Sequence, residues 1–184
     1  MILRLVIVAA TLLFANGAHA QTFPEDDEYI SHGRWAASEE GLGGSARTDS
    51  EGGWAGLTVG RMSSPTMNAI EFVYEFGTYD AEYVAAHRRF FGRNIAAQVS
   101  LNVDDQSFRP MSAIMEAADD GGLFVRMTFY DPSDETSPDV WENSCPVVAA
   151  ISNARTISVT VPPETEGWLP LTGRGSSAAL ADVC

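Results

Sequence analysis

The chain has 184 residues and a formal net charge of −14, and its 11 lysine-plus-arginine positions are all arginine. This acidity argues against a nucleic-acid partner, because phosphate binding requires clustered cations, and against an anionic membrane surface. The lack of lysine in the sequence excludes a lysine nucleophile and a phosphate-loop lysine. The length suits one domain with a substantial core.

Residues 1–20 have the pattern of a secretory signal peptide. Arg4 precedes an apolar run at 5–15, and the small-x-small motif Ala-His-Ala follows at 18–20. The run is too short for a transmembrane helix. We therefore predict cleavage between Ala20 and Gln21, export to the periplasm or secretion, and no membrane span in the mature chain.

Two parts of different composition follow the signal peptide. Residues 21–53 are acidic and glycine-rich, and they predict a loose lead-in with a weak hairpin around Trp35 and Ala46. Residues 54–184 predict a single β-rich domain, because apolar and polar residues alternate there with the period of half-buried strands. The alternating segments are 55–59, 70–76, 95–103, 123–129 and 156–161.

Other local signals place a helix, a turn and an edge strand. Apolar residues at helical spacing indicate an amphipathic helix within 79–91. The segment VDDQSF at 103–108 predicts a hairpin turn, because aspartate tolerates the turn dihedrals. Pro170 confines the strand at 168–172 to a sheet edge or a bulge.

Residues 144–184 predict a module of helix, strand, strand and helix. Ser144 indicates the first helix start, with Pro146 in its first turn and Asn153 at its end. Ser176 caps the last helix. The fold predicted for the whole chain is α+β, mainly antiparallel, with about six to eight strands in a sandwich-like arrangement and two or three short helices.

The two cysteines of the sequence lie at the ends of this module. Cys145 is in its first helix and Cys184 is its last residue. Two cysteines of an exported domain usually form a disulfide, and two free thiols are the alternative. The bridge would close a loop of about 40 residues and attach the terminal helix. The Cys-x-x-Cys spacing of catalytic thiols is absent, so a structural role is predicted.

The order of motifs in this module resembles two groups of exported proteins. A cysteine precedes a short apolar helix, the strand RTISVTV, an aromatic strand and the segment LTGRGSSAALADVC. This order resembles the C-terminal part of proteobacterial periplasmic proteins of the invasion-associated locus B type. It is also similar to VasI-type accessory proteins of type VI secretion. The resemblance covers about the last quarter of the chain. It implies a periplasmic β-rich domain with an accessory or binding role, and no catalytic residue.

One acidic loop, DPSDETSPDVWE at 131–142, has the oxygen-ligand spacing of a calcium loop. Its candidate ligands are Asp131, Ser133, Glu135, Asp139 and Glu142. Position six is Thr136 instead of glycine, and Pro138 stiffens the centre. A solvated acidic loop is the alternative, and we predict neither a metal nor another cofactor.

The remaining candidates for chemistry have simpler structural interpretations. His32 and His87 are too few for a zinc site when the cysteines are paired. The segment GRGSS at 173–177 lacks the order of a serine-hydrolase elbow, and GLGGSAR at 41–47 lacks the lysine of a phosphate loop. Four tryptophans either pack in the core or form a binding face. They are Trp35, Trp54, Trp141 and Trp168.

The leading interpretation is an exported, non-catalytic binding or accessory protein that acts on an envelope or periplasmic protein or assembly. One alternative is a hydrolase of envelope material that uses scattered carboxylates and His87. A calcium- or ligand-stabilised structural protein is another. An enzyme needs a pocket with convergent polar groups, whereas a binding module needs an exposed apolar patch or an open sheet edge.

Overall fold

A computed structural model describes residues 29–32, 35–38, 45–49, 55–64, 67–76, 81–118, 122–131, 139–163 and 170–184. The predicted signal peptide and its cleavage site, Ala20 and Gln21, lie outside these residues. Within them, eleven strands form two antiparallel sheets, and three short α-helices accompany the sheets. The predicted α+β, sandwich-like class is confirmed. None of the helices in the described ranges has the length and apolar character that a bilayer crossing demands.

The elements have the following bounds in chain order. The strands are β1 Tyr29–His32, β2 Trp35–Ser38, β3 Ser45–Asp49, β4 Ala55–Ser64, β5 Met67–Phe76, β6 Ser100–Val103, β7 Gln106–Phe108, β8 Ser112–Ala117, β9 Leu123–Thr128, β10 Thr156–Thr160 and β11 Leu171–Thr172. The helices are α1 Ala81–His87, α2 Asp139–Ser152 and α3 Ser176–Ala179. The large sheet has the order β1-β2-β3-β4-β5-β9-β8, and the small sheet has the order β11-β10-β6-β7.

The alternation in β5 gives the large sheet one buried face. Phe72 and Tyr74 are at most 1% exposed, and they pair with Val59 and Leu57 of β4, which are fully buried. Between them, Val73 is half-buried and belongs to the opposite face. Apolar burial of this kind is the main favourable contribution to folding.

The hairpin predicted around Trp35 and Ala46 belongs to the large sheet, and the described residues 29–32, 35–38 and 45–49 of the predicted lead-in are strands of this sheet. Strand β3 pairs with β4, and β2 pairs with β3. Trp35 is 1% exposed and Ala46 is fully buried. The Trp35 indole N–H donates to the Thr172 carbonyl at 2.8 Å. These strands add the buried side chains of Trp35 and Ala46 to the core of the large sheet.

The strand predicted at 95–103 is divided into two elements. Ile95 donates its N–H to the Ala113 carbonyl at 2.8 Å, which places it beside β8. A 3-10 turn follows at Ala96–Gln98, and β6 begins at Ser100 in the other sheet. Alternation persists because both halves face one core, and so the sequence does not reveal the break.

Helix α2 begins at Asp139, five residues before the predicted start at Ser144. Pro146 is therefore inside the helix, where it removes one helical hydrogen bond. Ser144 is fully buried on the same face as Val140 and Ile151. The burial of this face stabilises the helix despite the proline inside it.

The predicted helix-strand-strand-helix module is present as α2, β10, β11 and α3. Strand β11 is at the edge of its sheet, as expected from Pro170. A disulfide joins Cys145 to Cys184, with Cα atoms 5.7 Å apart and a sequence separation of 39. Gly173 has no room for a side chain, because a Cβ would overlap the Ala154 carbonyl. The segment GRGSS is therefore a tight structural turn.

The two fully buried serines of the module provide a matched test of hydrogen bonding. Ser176 Oγ lies 2.8 Å from the Ile151 carbonyl and 2.6 Å from the Gly173 carbonyl, whereas Ser144 Oγ has no partner among the described residues. We expect Ser176→Ala to lower the free energy of unfolding by about 1–3 kcal/mol. We expect Ser144→Ala to leave it unchanged or raise it by up to about 1 kcal/mol. Urea unfolding measures both, and an equal loss in the two variants would contradict the assignment.

Removal of the disulfide should destabilise the folded state. For a loop of about 40 residues, the chain-entropy estimate is a loss of roughly 4 kcal/mol in the double variant Cys145→Ser/Cys184→Ser. Thermal unfolding of this variant should match that of the reduced wild type. A melting temperature equal to that of the oxidised wild type would show that the bridge does not stabilise the module.

Candidate functional site

An open groove of about 450 Å³ lies between the β6–β7 hairpin and α2. This volume is in the range of sites that hold small ligands or single side chains of a partner. The hairpin and the helix each contribute four of its lining residues. They are Val103, Asp104, Asp105 and Gln106 from the hairpin, and Pro146, Ala149, Ala150 and Asn153 from the helix side.

The two walls of this groove differ in chemistry. The helix wall presents small apolar groups, since Ala149 and Pro146 are exposed and Ala150 is half-buried. The hairpin wall is polar, and Asp105 and Gln106 are exposed. A groove with small residues on one side and carboxylates on the other accommodates an apolar chain that carries a polar or basic group.

Asp104 holds the hairpin wall in place. It adopts a φ of 48°, which aspartate tolerates better than most residues. Its carboxylate accepts hydrogen bonds from Thr156 N–H at 2.9 Å, Thr156 Oγ at 3.1 Å and Arg155 N–H at 3.1 Å. The backbone N–H groups of Thr156 and Arg155 hold the pKa of this carboxyl below its ordinary range. The hairpin tip is thereby attached to the start of β10.

An open strand edge adjoins the groove. Strand β7 is the last strand of the small sheet, and no strand in the described part of the chain pairs with its outer edge. On the sheet's outward face, Ser107 Oγ donates to Asn102 Oδ1 at 2.9 Å, which orders this end of the sheet. An unpaired edge offers backbone donors and acceptors to an extended segment of another chain.

His87, which the hydrolase alternative requires, is part of the core. It is 1% exposed, and its ring meets Phe76 edge-on with centroids 5.8 Å apart. Its Nδ1 lies 2.9 Å from the Tyr83 carbonyl. A carbonyl only accepts, so Nδ1 carries the proton and donates. His87 therefore packs α1 onto the large sheet and does not line the groove.

The candidate calcium ligands lie at the margin of the described residues. Asp131 and Glu142 are exposed, and Asp139 is the first residue of α2. Ser133 and Glu135 are outside the described residues. Among the residues that the structure describes, no three His, Cys, Asp or Glu side chains are grouped closely enough to hold a metal. The calcium loop stays a prediction.

Two of the four tryptophans are described, and both pack against other elements. Trp35 is in the core, as given above. Trp141 is half-buried, and the Arg61 guanidinium lies 4.6 Å from its ring centroid. This cation–π contact attaches the beginning of α2 to β4. Trp54 and Trp168 lie outside the described residues.

The groove is not among the sites that the sequence predicts. Its one local signal is the aspartate pair of the hairpin turn, which by itself indicates only a turn. The helix wall gives no signal, because Ala149 and Ala150 are ordinary helix residues. Comparison of the chain with protein-family models, curated proteins and solved structures finds no match.

Asp104→Asn should destabilise the protein at neutral pH, because an amide accepts the two backbone N–H groups less strongly than a carboxylate. The folded-state pKa is lowered, so the stabilisation is present above the ordinary value of about 3.8 and is lost as the pH falls through the folded-state pKa. The difference between wild type and Asp104→Asn should therefore shrink as the pH is lowered below about 4.

Urea unfolding from pH 7 to pH 2.5 measures this difference. Asp105→Asn is the matched control, since Asp105 is an exposed neighbour in the same turn. A difference between wild type and Asp104→Asn that does not change with pH would contradict the role of the charge.

Proposed function

We propose that the protein is a periplasmic, non-catalytic binding or accessory module that acts on an envelope protein or assembly. The observation that carries the proposal is the groove between the β6–β7 hairpin and α2, next to the open edge of β7. The edge supplies backbone hydrogen bonds to an extended segment, and the groove receives one of its side chains. Both are features of binding by strand addition.

The charge of the groove indicates which kind of partner segment would bind there. Asp104 and Asp105 line the hairpin wall, and the small side chains of Ala149 and Ala150 line the opposite wall. A lysine or arginine has an aliphatic stem that fits against small apolar residues and a cationic end that meets a carboxylate. The proposed ligand is therefore an extended segment with a basic side chain.

Two further observations support export and an accessory role. The Cys145–Cys184 disulfide is compatible with an oxidising compartment such as the periplasm. The residues that resemble periplasmic proteins of the invasion-associated locus B type and VasI-type accessory proteins correspond to the module of α2, β10, β11 and α3. The side of α2 that faces the groove belongs to this module.

A displayed library of random heptapeptides tests the binding site. We expect selection on the disulfide-bonded protein to enrich extended sequences that share a basic residue. Ala149→Trp should fill the groove and raise the Kd of a selected peptide by at least about tenfold, since a loss of 1.4 kcal/mol has this effect. Ala178→Trp is the matched control, because Ala178 is exposed on α3.

Two results would contradict the proposal. One is the enrichment of no common sequence, or a Kd that Ala149→Trp and Ala178→Trp change equally. The other is a change in the mass of the selected peptide after incubation with the protein, which would favour the hydrolase alternative. An unchanged peptide mass, with binding lost only in Ala149→Trp, is the expected outcome.

A further inference from the structure

A second surface of the protein has the opposite charge. It consists of four exposed arginines and one exposed methionine, which we name the arginine face: Arg88, Arg89, Arg93, Arg109 and Met111. Arg88, Arg89 and Arg93 lie in the connection from α1 to β6, and Arg109 and Met111 lie in the connection from β7 to β8. It is separate from the groove, and the inference drawn from it goes beyond the proposed function.

Two stretches without carboxylates meet at this face. Residues 83–103 and 106–115 contain four arginines and no aspartate or glutamate, in a chain whose net charge is −14. The structure places the stretches side by side. Gly92 N–H donates to the Met115 carbonyl at 3.1 Å, and Asn94 Oδ1 accepts the Ala113 N–H at 3.2 Å. The fold therefore concentrates positive charge that the sequence distributes over two segments.

The arginines of the face are not neutralised within the described part of the chain. Arg47 and Arg126 of the large sheet form ion pairs with glutamates, whereas none of the arginines of the face does. The Arg89 guanidinium lies 4.7 Å from the Phe90 ring centroid, and Arg109 donates to the Ala97 carbonyl at 3.3 Å. These contacts orient the two side chains and leave their charges available.

The face also has an apolar component. Met111 is 56% exposed, and it is the one large hydrophobic side chain that is mostly exposed among the residues whose burial the structure describes. Asn94, the residue after Arg93, has its Nδ2 atom 3.5 Å from the Met111 carbonyl. This contact brings the Met111 backbone close to the segment that contains Arg93. Phe90 and Phe91 are half-buried beside the arginines. Methionine adapts to irregular apolar partners and is frequent at binding surfaces.

We propose that the arginine face binds a short acidic segment of a partner protein, with an apolar side chain of that segment against Met111. The arginine guanidinium donates two parallel hydrogen bonds to a carboxylate, so it binds acidic side chains well. A flat anionic membrane would also meet the rest of the protein, whose net charge of −14 repels it. A short segment contacts the face alone and avoids this repulsion.

Fluorescence polarisation with a labelled octapeptide of alternating glutamate and leucine tests the proposal on the intact protein. We expect binding that weakens as the salt concentration rises from 50 to 300 mM, because added salt screens exposed charges. The same peptide with glutamine in place of glutamate should not bind. Arg89→Gln/Arg93→Gln should raise the Kd by about tenfold, the effect of losing two charge-assisted contacts.

Arg155→Gln/Arg174→Gln is the matched control, because it removes the same charge at exposed positions elsewhere. It should change the Kd far less. Equal effects of the two double variants, or equal binding of the glutamine peptide, would overturn the proposal.

Two further outcomes would assign the face to another occupant. Binding to phosphatidylglycerol vesicles that requires Arg89 and Arg93 would point to a membrane. Self-association that Arg89→Gln/Arg93→Gln abolishes, seen by sedimentation velocity, would point to a second copy. Ala149→Trp should leave glutamate-peptide binding unchanged, so failure at this face is distinguishable from failure at the groove.

Discussion

The hydrogen bond from the Trp35 indole to the Thr172 carbonyl joins the large sheet to the small sheet, and the burial of Trp35 depends on it. Burying an indole N–H without a hydrogen-bond acceptor costs free energy of folding. Trp35 is therefore stably buried only beside an acceptor. Thr172 belongs to β11, at the edge of the small sheet, and Trp35 belongs to the large sheet. No strand ladder in the described residues connects the two sheets, so the side chains of the shared core, together with this hydrogen bond, hold them together.

The groove also depends on the C-terminal module of α2, β10, β11 and α3. Its helix wall is attached at the start by the Arg61–Trp141 contact and near the end by Ser176, which donates towards the Ile151 carbonyl. Its hairpin wall is attached to β10 by Asp104. Both walls are therefore held in position before any ligand arrives. Preorganisation lowers the entropy lost on binding, which favours a groove of modest size as a recognition site.

The sequence indicated those features that rest on local chemistry. Alternation predicted the buried face of β5, the aspartate pair predicted the hairpin, and the cysteines predicted the disulfide. The sequence did not reveal features that rest on distant partners. The burial of Trp35 requires an acceptor 137 residues away, and the interior position of Pro146 is tolerated because one helix face is buried. The groove and the arginine face are also products of the fold, because each brings together segments that are separate in the chain.

The position of Thr172 along the chain also determines when the large sheet can be completed. As the chain is made, Trp35 emerges 137 residues before the carbonyl that accepts its indole N–H. Until that carbonyl is present, the indole N–H of Trp35, the largest of the fully buried side chains, lacks the acceptor that it has in the folded protein. Non-local pairing of this kind slows folding and leaves strand edges open to other chains. We therefore expect the large sheet to be completed late in folding, once the C-terminal module is available to pack against Trp35.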